Sequence, residues 1–325
     1  MIEVLNPGFQ AIIVDKGRFG FGDIGVPTSS ALDSLAYKTA NYLTGNPEDA
    51  PVIESIGPML SLRFQYPVVF AITGAWVEGL LDEIPFTSWQ SLRADKGSIM
   101  KIKGVKEGLR YYIGFSGLID IETVMGSFTT NMECHFGGYE GRQLKKGDLL
   151  RLRDIKDTSE SSIDKDMIPT MGSPHPLRVI DGPEAGFFNN DPIERFFKES
   201  YKVSPKSNRT GIRLTGMPLE FKEGVEKSII SEGILPGTIQ IPGDGMPVIM
   251  LYERTVGGYA RLAIVIKADH DRLAHLTPGD DVIFKKISIE EAEEIWMEKQ
   301  KNNKKFIKNV IDNVYNVSTV KNLRK

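Results

Sequence analysis

The chain has 325 residues, 41% of them hydrophobic, with 40 Lys and Arg against 43 Asp and Glu and a formal charge of −3. That length allows two domains, and a near-neutral balance without a general basic patch excludes nucleic acid as the main partner. No window approaches 18 uninterrupted apolar residues, so no membrane helix is expected, and a single cysteine, Cys134, excludes an internal disulfide framework or a Cys-rich metal site.

The opening residues, Met1 to Gly8, lack a basic run leading into an apolar stretch, which reads as no signal peptide and a cytoplasmic location. Strands follow at Gln10–Val14, and later at 68–72, 111–115 and 248–252, each rich in β-branched or aromatic residues. With 32 glycines and 18 prolines as punctuation, the chain reads as mainly β. The first helix is expected from Ser30, with Asp33 favouring its positive end. Its apolar face would be Leu32, Leu35, Ala36, Thr39 and Leu43, and its stop Gly45. The hydroxyls of Thr28 and Ser29 ahead of it allow an anion site, although capping by Ser30 explains the same residues.

Cys134 stands beside His135, but neighbours on a strand face opposite ways, and a buried or half-buried structural cysteine is the expectation. His175, His270 and His275 have no metal-ligand spacing and read as surface or structural histidines. The polar stretch 154–162, followed by Pro169, Pro174 and Pro176, is the linker candidate. The expected division is an N-terminal β-domain with one capped helix over 1–155, a linker over 156–176, a C-terminal β-barrel over 177–290 and a basic helical tail over 291–325. A Gly-Gly-Tyr followed by Arg and Gly-Asp occurs in each half, at Gly137 and at Gly257, and hints at duplication.

Polar residues cluster in the second half. Arg209 and Arg213 are four apart and, on an extended segment, would share a face suited to a carboxylate or phosphate; structural salt bridges are the competing reading. Ser231 precedes Thr238 and Gln240, which alternate onto one face, and then the turn Pro242-Gly243-Asp244-Gly245, either an ordinary hairpin or a ligand-facing nest. Thr255 leads into Gly257, Gly258 and Tyr259, where the glycines permit close backbone approach and the tyrosine can donate a hydrogen bond or pack. A final helix should begin at Ser288 with Glu291 as its capping-box partner. The basic run Lys299 to Lys325 after it reads as a solvated extension rather than an interaction arm. Neither a Walker A sequence nor Gly-x-Ser-x-Gly occurs.

The ordered segments Asp15-Lys16-Gly17-Arg18-Phe19-Gly20, Gly25 to Asp33, Ala40 to Asn46, Glu54 to Pro58, Ile72 to Ala75, Arg209 to Leu214, Gly237 to Pro242, Thr255 to Tyr259 and Pro278-Gly279-Asp280 resemble the allophanate hydrolase subunit 2 family over roughly residues 2 to 290. The chain departs from the family pattern at Val14, Ser30 and His275. The resemblance implies two cyclophilin-like β-barrel domains with a few helices. It implies work as the C-type subunit of an ATP-dependent 5-oxoprolinase, opening the 5-oxo-L-proline lactam to L-glutamate. The partners would be an A-type subunit and a B-type, Kip inhibitor-like one, with inactivity alone. ATP would enter through the complex. Within that reading Arg209, Arg213, Gln240 and Thr255 are the catalytic candidates, and Ser231, Asp244, Gly257, Gly258 and Tyr259 the substrate-binding ones, with no metal. The family also admits a non-catalytic antagonist of a Kip inhibitor-like protein, and a carboxyltransferase subunit dependent on biotin.

Overall fold

The computed structural model describes residues 1–322, with side chains through Val314. By internal contacts the chain forms two units. Unit 1 comprises Met1–Arg18, Ser29–Thr170 and the chain from Lys301 onward; unit 2 comprises Phe19–Thr28 and Met171–Gln300.

Unit 1 holds β1 (Ile2–Pro7), β2 (Gln10–Val14), α1 (Ser34–Leu43), β3 (Val52–Ile56), β4 (Leu60–Phe64), β5 (Val68–Leu81), β6 (Ile84–Thr87), β7 (Gln90–Ala94), β8 (Ile99–Phe115), β9 (Leu118–Ile119), β10 (Leu149–Leu150) and β11 (Leu152–Arg153). Nine of these strands form a half-barrel sheet, in which the long β8 pairs with β3, β4 and β5. Bulges along β5 and β8 bend the pair. Phe64, Phe70 and Phe115 fill the core, with Phe64 and Phe70 stacked at 5.2 Å. Gly114 lets α1 lie on β8, since a Cβ there would stand 2.8 Å from the Ala40 carbonyl oxygen.

The first helix begins at Ser34, three residues later than a cap at Ser30 would place it. Asp33 is its cap, accepting from the Ala36 N–H at 2.9 Å, and its own N–H donates to the Tyr112 hydroxyl at 2.9 Å. Cys134 is exposed, contrary to the expected burial. It sits in a turn rather than a strand, and its N–H donates to Asn131 Oδ1 at 2.7 Å while His135 takes a positive φ. The segment expected as a linker packs along β7, with Ser161 bonded to Ser91 and Ile163 to Trp89.

Unit 2 holds β12 (His175–Asp181), α2 (Asn190–Lys198), β13 (Tyr201–Val203), β14 (Gly211–Thr215), β15 (Ser228–Gly233), β16 (Thr238–Ile241), β17 (Val248–Met250), β18 (Val256–Val265), α3 (His270–Leu273), β19 (Asp281–Lys286) and the start of α4 (Ile289–Asn322). The order β12-β19-β13-β14-β17-β16-β18 closes on itself through β12 and β18, giving a seven-stranded barrel, and β15 hangs from β18 alone. Phe196 of α2 stacks on Phe284 at 4.5 Å. His175 and His270 are buried in this unit and serve structure. The first meets Asp280 at 2.9 Å; the second accepts from the Tyr252 hydroxyl at Nδ1 and donates to the Val265 carbonyl from Nε2.

The capping box of α4 forms as its sequence dictates, with Ser288 and Glu291 exchanging two 3.1 Å bonds. The tail is not solvated throughout, however. Phe306, Val310 and Val314, four apart on one face, are buried in unit 1, where Phe306 meets Trp89 edge-on at 6.3 Å. No described helix is long and apolar enough to cross a membrane.

Candidate functional site

Several of the residues expected as a site in the second half lie around β16 and the start of β18. Alternation on β16 turns Gln240 to the side where Gly257 and Arg261 stand. Gln240 is only 3% exposed, and its Nε2 lies 3.5 Å from the Tyr259 carbonyl oxygen. No described residue donates to its Oε1. The approach depends on Gly257: a Cβ there would sit 2.2 Å from Gln240 Nε2. Gly258 plays the same part for β15, because a Cβ there would come within 3.2 Å of Ser231 Oγ. Tyr259 is exposed. Thr255 closes the end of this stretch, its hydroxyl reaching the Gly25 carbonyl at 3.4 Å.

Arg209 and Arg213 do not share a face. Arg209 lies in the turn before β14, buried to 5% and paired with Glu253 at 3.1 Å. Arg213 lies on β14 with an exposed side chain. A turn at Asn208, whose Oδ1 accepts from the Thr210 and Gly211 N–H groups, breaks the extended geometry that would have aligned them. Asp244 also stands apart. It is exposed and closes its own turn by accepting from Met246 N–H at 3.0 Å, the ordinary hairpin role. The structure therefore brings together Gln240, Gly257, Gly258, Ser231, Tyr259 and Thr255, and leaves Arg213 and Asp244 outside.

Three charged residues beside the cluster escaped the sequence reading. Arg261, opposite Gln240, is clamped by Glu184 at 2.6 and 2.7 Å and reaches Glu232 at 2.8 Å. The Arg261 guanidinium holds the Glu184 carboxyl below the usual range, and its own hydrogen bonds to the Glu184 and Glu232 carboxylates raise Arg261. Only the echo between the halves, an Arg after Gly-Gly-Tyr, pointed to Arg261, and nothing local marked Glu184, which is 77 residues away. Among the described residues no group of three or more His, Cys, Asp or Glu side chains is placed to hold a metal.

The N-terminal motif has a structural use. Asp15 accepts from Gly17 N–H, Ser127 Oγ, Phe128 N–H and Thr129 Oγ1 at 2.6 to 2.7 Å, while Arg18 lies 4.7 Å over the Phe136 ring. These bonds tie β2 to the loop near residue 128 within unit 1. A cavity of about 330 Å3 in unit 1, lined by Tyr42, Asn46, Thr158 and Ile311 among others, contains none of the unit 2 cluster. The cluster's chemistry, rather than cavity size, marks it as the candidate site.

The described residues thus form a half-barrel sheet in unit 1 and a closed β-barrel in unit 2, the latter holding a buried carboxamide admitted by a glycine. The chain belongs to the carboxyltransferase domain family, subdomains A and B, whose sequence pattern matches residues 24–286. It is 34% identical to the C subunit of 5-oxoprolinase from Escherichia coli (strain K12) over 294 residues, covering 90% of this chain and 93% of that one. The Haemophilus influenzae counterpart is 32% identical over the same shares. Among solved structures, the K. lactis urea amidolyase superposes with a TM-score of 0.86 at 30% identity, covering 94% of this chain but 20% of its own. The chain thus spans about a fifth of that relative's length.

Proposed function

We propose that the chain is the C-type subunit of an ATP-dependent 5-oxoprolinase, acting with A- and B-type subunits to open the 5-oxo-L-proline lactam to L-glutamate. The observation that carries this reading is Gln240, beside relatives named as that component of 5-oxoprolinase over nine-tenths of the chain. A lactam is a cis amide, so its C=O and N–H lie on one edge. A carboxamide offers a donor and an acceptor on one edge as well. Gln240 can therefore bind the lactam by two bonds once Nε2 leaves its long contact with the Tyr259 carbonyl. The Gly257 and Gly258 backbone lets the ring approach, and Thr255 and Tyr259 bound it. Ser231 orients the neighbouring strand.

The nucleotide does not fit this surface. Arg209 is cancelled by Glu253, and Arg261 by Glu184 and Glu232, so neither guanidinium is available to a triphosphate. ATP accordingly binds elsewhere in the complex, and Arg209 positions the β14 turn instead of clamping an anion. The chain is inactive alone and works in the cytoplasm, where 5-oxoproline and ATP meet.

The likeness to urea amidolyase favours one second reading, a biotin-dependent carboxyltransferase subunit. The ureido ring of biotin presents the same cis C=O and N–H edge, so Gln240 suits it too; carboxylated biotin would supply the transferable carboxyl group. The carrier would be another chain, and a streptavidin shift among co-purified partners would mark it.

The deciding experiment is co-expression with the A- and B-type subunits, followed by an assay of ATP-dependent glutamate formation from 5-oxoproline. Gln240→Met keeps the volume and removes the carboxamide. It is expected to lower kcat/KM by about 10- to 100-fold, the worth of one or two hydrogen bonds to a buried polar group. Full activity in that variant would remove Gln240 from the mechanism, and absence of glutamate in the intact complex would sink the proposal itself.

A further inference from the structure

We infer that Glu232 holds on Arg261 the place that the carboxylate of 5-oxoproline takes, so that the substrate binds by exchanging with Glu232 and releasing that end of β15. The inference rests on the proposed function, which supplies the substrate, and adds the residue that recognises its acid group.

Three side chains meet along one stretch of β18. Glu232 is the Cα partner of Gly257 across the β15–β18 pair, and directly opposite residues turn their side chains to the same side of a sheet. A Cβ at Gly257 would stand 2.2 Å from Gln240 Nε2, so the Gln240 amide lies on that side too. Arg261 is the Cα partner of Gln240 across the β16–β18 pair and meets Glu232 at 2.8 Å. Carboxamide, guanidinium and carboxylate therefore share the face between Gly257 and Arg261. The geometry of 5-oxoproline fits that order. Its acid sits on the ring carbon next to the lactam N–H, so a lactam held edge-on by Gln240 carries its carboxylate beside that edge. The ureido ring of biotin has no acid at this position, and Arg261 thereby tells the two rings apart.

The two carboxylates on Arg261 are held unequally. Glu184 is 12% exposed and accepts from Nε at 2.7 Å, from Nη2 at 2.6 Å and from the Arg261 backbone N–H at 3.0 Å. Glu232 is 57% exposed and accepts from Nη2 alone. The bidentate, buried pair is the fixed one, and the half-exposed single bond is the one that solvent or another carboxylate can replace. A monocarboxylate that replaces Glu232 leaves one cation facing two carboxylates, as before. A triphosphate would add charge, so the same guanidinium is closed to the nucleotide and open to the acid. Little else resists the release. Only Ser228, Glu232 and Gly233 of β15 are in register with β18, with a shift between the first two. The remaining bond from Arg261 to this end, Nη1 to the Gly233 carbonyl, is 3.3 Å long.

The test uses the complex assembled with the A- and B-type subunits, without ATP, and titrates 5-oxoproline and its carboxylate-free analogue 2-pyrrolidinone by calorimetry. Glu232→Gln is expected to tighten 5-oxoproline about threefold or more, the worth of an exposed ion pair that no longer competes, and to leave 2-pyrrolidinone unchanged. Amide hydrogen exchange in 229–233 of the wild-type chain is expected to quicken at least threefold at saturating 5-oxoproline and to stay unchanged at saturating 2-pyrrolidinone. Equal or weaker binding of 5-oxoproline to Glu232→Gln overturns the inference. So does an equal gain for both ligands, which would report a general loosening of β15. Tighter binding with unaltered β15 exchange also overturns it, because relief of charge repulsion would then suffice. Binding with the expected exchange but no glutamate once ATP is added leaves the inference standing and removes the catalytic reading. Glutamate formation with an affinity indifferent to Glu232→Gln removes the inference alone, and absence of 5-oxoproline binding removes both.

Discussion

At Gly257 a single hydrogen in place of a methyl group decides whether Gln240 fits. The residue does not have a positive φ, so alanine there is tolerated by the backbone, and the whole effect falls on the Gln240 amide 2.2 Å from the added carbon. Gly257→Ala should leave the circular dichroism of the chain intact and lower the activity of the assembled enzyme about tenfold or more, read as a fall in kcat/KM. His270 shows a different residue-scale effect. Burial pushes its pKa down to about 3 from 6.5, with Lys267 adding in the same direction. The unfolded chain therefore takes up a proton first as the pH drops. The contribution to stability is complete above pH 6.5 and is lost between pH 6.5 and 3, by at most about 1.4 kcal/mol per pH unit for one proton. Tyr252, Asp269, Lys267 and the Lys299–Asp271 pair face or flank the ring. Urea midpoints of wild type and His270→Asn at pH 7, 6, 5 and 4 should diverge, with the flatter profile in the variant; parallel profiles would show that another group sets the slope.

Helix starts and faces show how elements were read. Ser30 was expected to cap α1, with Asp33 only favouring its positive end. The choice of Asp33 follows from its carboxylate reaching Ala36 N–H while its own N–H is taken by Tyr112, 79 residues away. At α4 the reciprocal Ser288–Glu291 pattern is wholly local and was legible. The burial of its later turns was not, because Phe306, Val310 and Val314 are thinly spread among Lys and Asn. Their stripe matters energetically: Phe306→Ala should destabilise unit 1 by about 3 kcal/mol, since it empties the contact with Trp89. Thermal unfolding with no loss would mean that the tail is solvated after all.

For the molecule as a whole, closure separates strands with two neighbours from the one with a single neighbour. In the isolated chain, amides of β14, β16 and the paired part of β18 should exchange most slowly in unit 2 and those of β15 fastest, because opening the ring must break bonds on both sides of a strand. Hydrogen exchange with mass spectrometry checks that order; equal protection of β15 and β16 would contradict the barrel's edge. The mainly β character and the ordered family segments were visible in the chain, since strand composition and turn residues act locally. The membership of residues 19–28 in unit 2 and of the chain from Lys301 in unit 1 was not, since each depends on contacts with residues more than a hundred positions away.

The sequence by itself determined the class of elements, the capping box of α4 and the family, because propensity, period and motif order are read from neighbouring residues. It also put Gln240, Gly257, Gly258 and Tyr259 on the short list of functional residues. Tertiary structure decided which of them meet. Strand register set Gln240 against Gly257, and the Asn208 turn sent Arg209 to Glu253 and Arg213 to solvent. Pairing of a charge depends on which distant carboxylate the fold delivers to it, and that information is carried by the sheet rather than by the spacing of the arginines.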